Sequence, residues 1–170
     1  MQKQMVGLAA EFAVASELCR RDTYAQLTLG HLKRTDLLIL TRDDKLLRIE
    51  VKGKQGSVWP NCRGICGGNV ALVLVDFAGR DETERPDFYI LTLEDWRELV
   101  NGEFEKARAK GVRIRIDDQY VLVWDEQVNA QGQPYKGMGV RPEQVQDCKE
   151  KWEKITQPIA EKTSVGDTKG

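Results

Sequence analysis

Histidine is almost absent from the 170 residues, His31 being the only one. One imidazole cannot supply a site built from several histidine ligands, and a Ser-His-Asp or Cys-His arrangement has only His31 as its base. Long apolar runs are missing too. The longest, residues 70–77, is far shorter than the roughly 20 residues needed to cross a bilayer. Residues 1–6 are polar and no apolar stretch follows them, so no secretory leader is expected, and the four cysteines then suit a reducing compartment. The resulting expectation is a soluble, cytoplasmic protein without membrane association. Cys62-x-x-x-Cys66 has a spacing that zinc sites use, but a closed site needs two more ligands. Cys19, Cys148 and His31 stand at no motif spacing, which favours metal-free thiols.

A charge surplus of either sign is also lacking, with a formal net charge of -1. That balance speaks against nucleic acid only until the charges are located. Residues 33–63 hold eight bases against four acids, whereas residues 79–106 hold four bases against nine acids. Either the molecule is polarised, with one phosphate-tolerant face, or the charge is scattered over both faces.

With 41% hydrophobic residues the chain can bury one core, and no repeat or domain linker stands out. Residues 1–155 are expected to form a single domain and residues 156–170 a polar, disordered tail. Residues 4–21 lack proline and place Leu8, Phe12, Ala15, Leu18 and Cys19 on one helical stripe. Glu11 falls near the middle of this apolar arc and Glu17 towards its rim. An inward carboxylate needs a partner, either a structural cation or a metal.

Residues 24–31, 35–40 and 46–54 read as a three-stranded meander. A three-residue loop at Arg42-Asp43-Asp44 pairs Thr41 with Lys45, and therefore Asp36 with Glu50, on one face. Lys52, two residues beyond Glu50, shares that face. A two-residue turn would shift the register by one and send the acids apart.

Residues 55–68 read as a loop, and residues 69–77 as a nearly continuous apolar strand buried on both faces. Residues 88–91 form another strand, and Thr92 with Asp95 resembles a capping box opening a helix that Asn101-Gly102 interrupts. Residues 112–116 and 120–124 read as a hairpin, residues 129–142 as a loop, and residues 142–155 as a final helix with Val145, Cys148 and Trp152 at helical spacing.

Gly7-x-x-Ala10-Glu11, Thr35-Asp36 and Glu50-Val51-Lys52 resemble the signature of the PD-(D/E)XK nuclease superfamily. Their order and spacing are similar to those of archaeal Holliday-junction resolvases within it. The resemblance is close over about the first 55 residues and loose as far as Leu91. It implies a mixed α/β (α+β) fold, a restriction-endonuclease-like core with a mixed central β-sheet flanked by helices.

It also implies a DNA endonuclease that hydrolyses phosphodiester bonds with Mg²⁺, for which Mn²⁺ can substitute. A phosphodiester is anionic and neutral water attacks it poorly, so hard oxygen ligands that hold such an ion suit the chemistry. By resemblance, Asp36, Glu50 and the Val51 carbonyl hold the metal, and Glu11 holds a second ion or its water. Lys52 is the catalytic lysine, orienting the attacking water and stabilising charge on the phosphorus oxygens. Lys33, Arg34, Lys54, Gln55 and Arg63 are expected to meet DNA, duplex or branched, and many such folds act as homodimers.

Thr35 stands at the family's prolyl position, and residues 55–68 show no crossover helix. Trp59 is either a base-stacking side chain or a buried loop anchor. Two rival functions remain open: a catalytically silent nucleic-acid-binding or partner-binding module of the same fold, or a nuclease subunit of a larger repair or restriction assembly.

Overall fold

A computed structural model of the chain describes residues 1–28, 35–41, 45–128 and 131–156. Lys33, Arg34, His31, the Arg42-Asp43-Asp44 loop and residues 157–170 lie outside the described residues. The elements follow in the order α1 (Lys3–Cys19), β1 (Ala25–Leu27), β2 (Leu37–Leu40), β3 (Leu46–Lys54), β4 (Trp59–Cys62), β5 (Val70–Asp76) and β6 (Asp87–Leu91). After these come α2 (Leu93–Ala109), β7 (Ile114–Ile116), β8 (Leu122–Val128), β9 (Pro134–Lys136), β10 (Met138–Val140), a 3-10 segment (Pro142–Cys148) and α3 (Glu153–Thr156).

The fold is mixed α+β. Its central sheet runs β1-β2-β3-β5-β6, antiparallel throughout except where β3 lies parallel to β5. All seven residues of β5 are buried, as a strand covered on both faces requires. One face packs Leu37, Ile39, Leu47, Ile49, Val73 and Val75 against Ala10, Val14 and Leu18 of α1. The other packs Leu72, Leu74, Tyr89 and Leu91 against Trp96 and Val100 of α2, together with Trp59, Leu122 and Val140. No helix among the described residues is long and apolar enough to cross a membrane.

The connection from β3 to β5 contains no helix; it carries β4, which pairs with β10 far along the chain, Met138 opposite Cys62. Two segments expected as loops thus supply a small sheet, and a second one runs β7-β8-β9. The capping box forms as expected, with Thr92 N–H donating to Asp95 at 2.7 Å and Asp95 N–H to Thr92 Oγ1 at 3.3 Å. The helix it opens runs on through Asn101 and Gly102, both exposed. The expected final helix is instead a 3-10 segment, a break at Glu150 (φ 56°) and the short α3. That break lets Trp152 reach the Phe88 ring, 5.2 Å away.

The buried face of α1 differs from the expected stripe. Val6, Ala10, Val14 and Leu18 point inward, while Leu8 and Phe12 are 44% and 55% exposed. Close approach selects this face. A Cβ at Gly53 on β3 would lie 2.8 Å from Val6 O and 2.9 Å from Ala10 Cβ, so helix and strand meet nearly backbone to backbone.

Glu17 is buried as well, contrary to the rim position expected for it. Its carboxylate accepts from Arg21 at 2.6 Å and from Arg85 at 2.8 and 3.1 Å, and Arg85 also reaches Glu150 at 2.8 Å. The Arg85 hydrogen bond, with help from Arg21, holds Glu17 down at about 2, below its ordinary 4.5. Because the folded value lies below the unfolded one, this stabilisation is complete above about pH 4.5 and fades as pH falls towards 2. Glu17→Gln is therefore expected to cost about 2 kcal/mol at neutral pH, less than a fully buried pair because both arginines are partly exposed. Urea unfolding of both proteins at neutral pH and near pH 3 checks this, the difference shrinking in acid.

Candidate active site

β3 carries the candidate chemistry. Leu47 and Ile49 point to the α1 face, while Glu50 and Lys52 pair with Leu72 and Leu74 of β5 and share the opposite face with them. The β2-β3 ladder runs from Leu40 opposite Leu46 to Leu37 opposite Ile49, and Thr41 N–H donates to Lys45 O at 2.9 Å. This is the register expected for a three-residue loop, but it stops one pair short of the acids. Asp36 N–H donates to Ile49 O, and the Asp36 carboxylate accepts the Val51 N–H at 2.6 Å. Asp36 is thus tied to Val51 instead of standing in a regular pair with Glu50.

Burial raises the Asp36 carboxyl above the ordinary aspartate range, against the opposing pull of the Val51 N–H and the Lys52 charge. Burial also raises Glu11, and the negative charge of Asp36 adds to that rise. Glu11, Asp36 and Lys52 are therefore electrostatic neighbours. Glu50 and Lys52 both act on Cys62, whose thiol burial pushes up to about 11. Neither Glu11 nor Asp36 has a cation at ion-pair distance among the described residues. Lys52 lines an open cleft of about 310 Å³ whose walls include Gly7 of α1 and Trp59, Pro60 and Asn61 of β4.

Among the described residues, no group of three or more His, Cys, Asp or Glu side chains is arranged to hold a metal ion. Mg²⁺ needs fewer, because it keeps several waters and is commonly held by one or two carboxylates plus substrate phosphate. Two neighbouring, partly buried carboxylates without an ion-pair partner among the described residues fit that donor requirement, and their hard oxygens suit the ion.

The residues expected to contact DNA have separate fates. Lys54 is only 4% exposed, pairs with Asp76 at 2.6 Å, donates to Gly56 O at 3.0 Å and lies 4.6 Å from the Trp59 ring centroid. Its charge is used inside the protein, so the expected phosphate contact is corrected. Gln55 is exposed, but it shares a depression with Phe77, Asp81 and Glu84 and not the cleft of Lys52. Arg63 is exposed. Trp59 is 1% exposed and donates to Val75 O at 3.0 Å, which makes it a buried anchor.

The sequence reading overlooked Asn61, Arg115, Tyr135 and Lys136, which line a second cleft together with Arg63. Asn61, Tyr135 and Lys136 lie in two segments that read as loops and Arg115 in a strand, so the one signal is their basic and aromatic content. The chain matches no family model, no curated protein and no solved structure.

Proposed function

We propose that the chain is a divalent-metal-dependent DNA endonuclease of the PD-(D/E)XK type. The observation that carries this reading is a pair of partly buried carboxylates, Glu11 and Asp36, raised by burial and without an ion-pair partner among the described residues, next to a lysine in an open cleft. A bound Mg²⁺ supplies charge neutralisation at the scissile phosphate and a more acidic water. Asp36, Glu50 and the Val51 carbonyl would hold it, with Glu11 in support. Lys52 orients the attacking water and meets the charge that grows on the phosphorus oxygens. The Asp36 contact to Val51 N–H fixes one carboxylate oxygen; no protein donor meets the other among the described residues.

Among the described residues no three acids are grouped closely enough to hold an ion, which favours a second reading, a module of the same fold that binds nucleic acid without turnover. Plasmid nicking in Mg²⁺ or Mn²⁺, abolished by EDTA, is the result expected for the nuclease. Binding that persists in EDTA with no cleavage under any divalent ion would select the module.

A stability measurement tests the ion site apart from turnover. Wild type is expected to melt higher on addition of Mg²⁺, because the ion relieves two like charges, and Asp36→Asn is expected to lose most of that rise. In metal-free buffer Asp36→Asn should itself melt about 2 °C higher, having shed a charge that burial disfavours. An equal Mg²⁺ response in both proteins would remove Asp36 from the ligand set.

A further inference from the structure

A larger cleft, of about 760 Å³, lies beside the one that Lys52 lines. Its lining includes three bases, Arg63, Arg115 and Lys136, together with amides and Tyr135, and contains no acid. β9 and β10 build it: the pairing of β10 with β4 brings Tyr135 and Lys136 next to Asn61 and Arg63. Asn61 lines both clefts, so the two are adjacent. Its backbone is left-handed (φ 53°), a conformation asparagine tolerates, and its side chain accepts the Tyr135 hydroxyl at 2.7 Å, which fixes the ring.

The three bases remain available. Arg63 has no ion pair among the described residues. Arg115 reaches Asp125 at 3.3 Å and Lys136 reaches Asp117 at 3.0 Å, yet the two bases stay 55% and 48% exposed.

Bases that track phosphates, an anchored aromatic ring and amide groups in one concave surface are the components of a groove for a single nucleic-acid strand. Ring stacking needs base faces, which a duplex hides within its stack. We propose that this cleft binds a single strand of nucleic acid and leads it past Asn61 towards Lys52. The inference rests on the nuclease reading for its direction, but not for the binding itself. It implies that the substrate is at least partly unpaired beside the cut, as in a branch or flap.

Fluorescence anisotropy in EDTA, with a short labelled single strand and with its duplex, tests the proposal. Arg63→Ala combined with Lys136→Ala is expected to weaken single-strand binding at least tenfold and to lower the slope of log affinity against log salt by about 1.4, from about 0.7 per phosphate contact. Arg63→Glu alone, at a residue without an ion partner among the described residues, is expected to act in the same direction with an unchanged melting curve.

Wild-type affinity in both cleft variants would overturn the assignment, as would absence of single-strand binding by wild type. Equal losses for single strand and duplex would overturn the choice of a single strand. Failure of the two readings is distinguishable. If wild type never cuts but the cleft variants lose binding, the cleft stands and catalysis falls. If Lys52→Ala abolishes cutting while the cleft variants bind normally, catalysis stands and the cleft falls.

Discussion

Lys52→Ala is expected to slow divalent-dependent DNA cleavage by about a hundredfold or more while leaving the fold intact. Lys52 stands on the sheet strand and lines the open cleft, and its charge already acts on Asp36. Removing it subtracts the cation that, on the nuclease reading, would meet negative charge growing on the phosphate and would orient water. Only half-buried, Lys52 contributes little to the core, so the melting midpoint should move by no more than a surface substitution moves it, about 0.5 kcal/mol. Lys52→Met keeps the aliphatic stem and should be as inactive as the alanine variant, which separates charge from packing. Glu50→Ala is expected to lose cleavage similarly. Nicking at wild-type rate in all three proteins would end the catalytic assignment.

Gly64→Ala is expected to be the most destabilising single methyl, costing roughly 4 kcal/mol or more. Gly64 has φ +60°, and an added Cβ would fall 1.8 Å from Cε2 and 2.2 Å from Cζ2 of Trp96. The indole has little room to retreat: it is fully buried, and its N–H donates to Tyr120 O at 3.2 Å. Overlap with the ring therefore adds to the cost of a left-handed conformation for alanine. Urea unfolding measures the effect, and a loss under about 1 kcal/mol would show that Trp96 yields more readily than its packing suggests.

What was legible in the sequence was local. The Thr41–Lys45 register, the Thr92–Asp95 cap and the doubly covered β5 each depend on residues a few positions apart. The inward face of α1 was not legible, because in an alanine-rich helix the choice falls on small side chains that fit Gly53, and Leu8 and Phe12 are too large for that contact. Glu17 looked like a rim residue because its strongest partner, Arg85, is 68 positions away. β4 and β10 escaped for the same reason: Pro60 and the glycines around them signal loops, and only their mutual pairing makes them strands. In the candidate site the spacing put Asp36 near β3, whereas its turn onto the Val51 N–H depends on backbone irregularity that spacing does not encode.

The pairing of β4 with β10 sets a timetable for the nascent protein. The hairpin with Asp36 and Glu50 and the helix with Glu11 emerge from the ribosome early, but one wall of the cleft beside Lys52 waits for residues 138–140. Closing so long a loop is entropically slow, so the wall of that cleft is completed only after residues 138–140 have been made and have found β4.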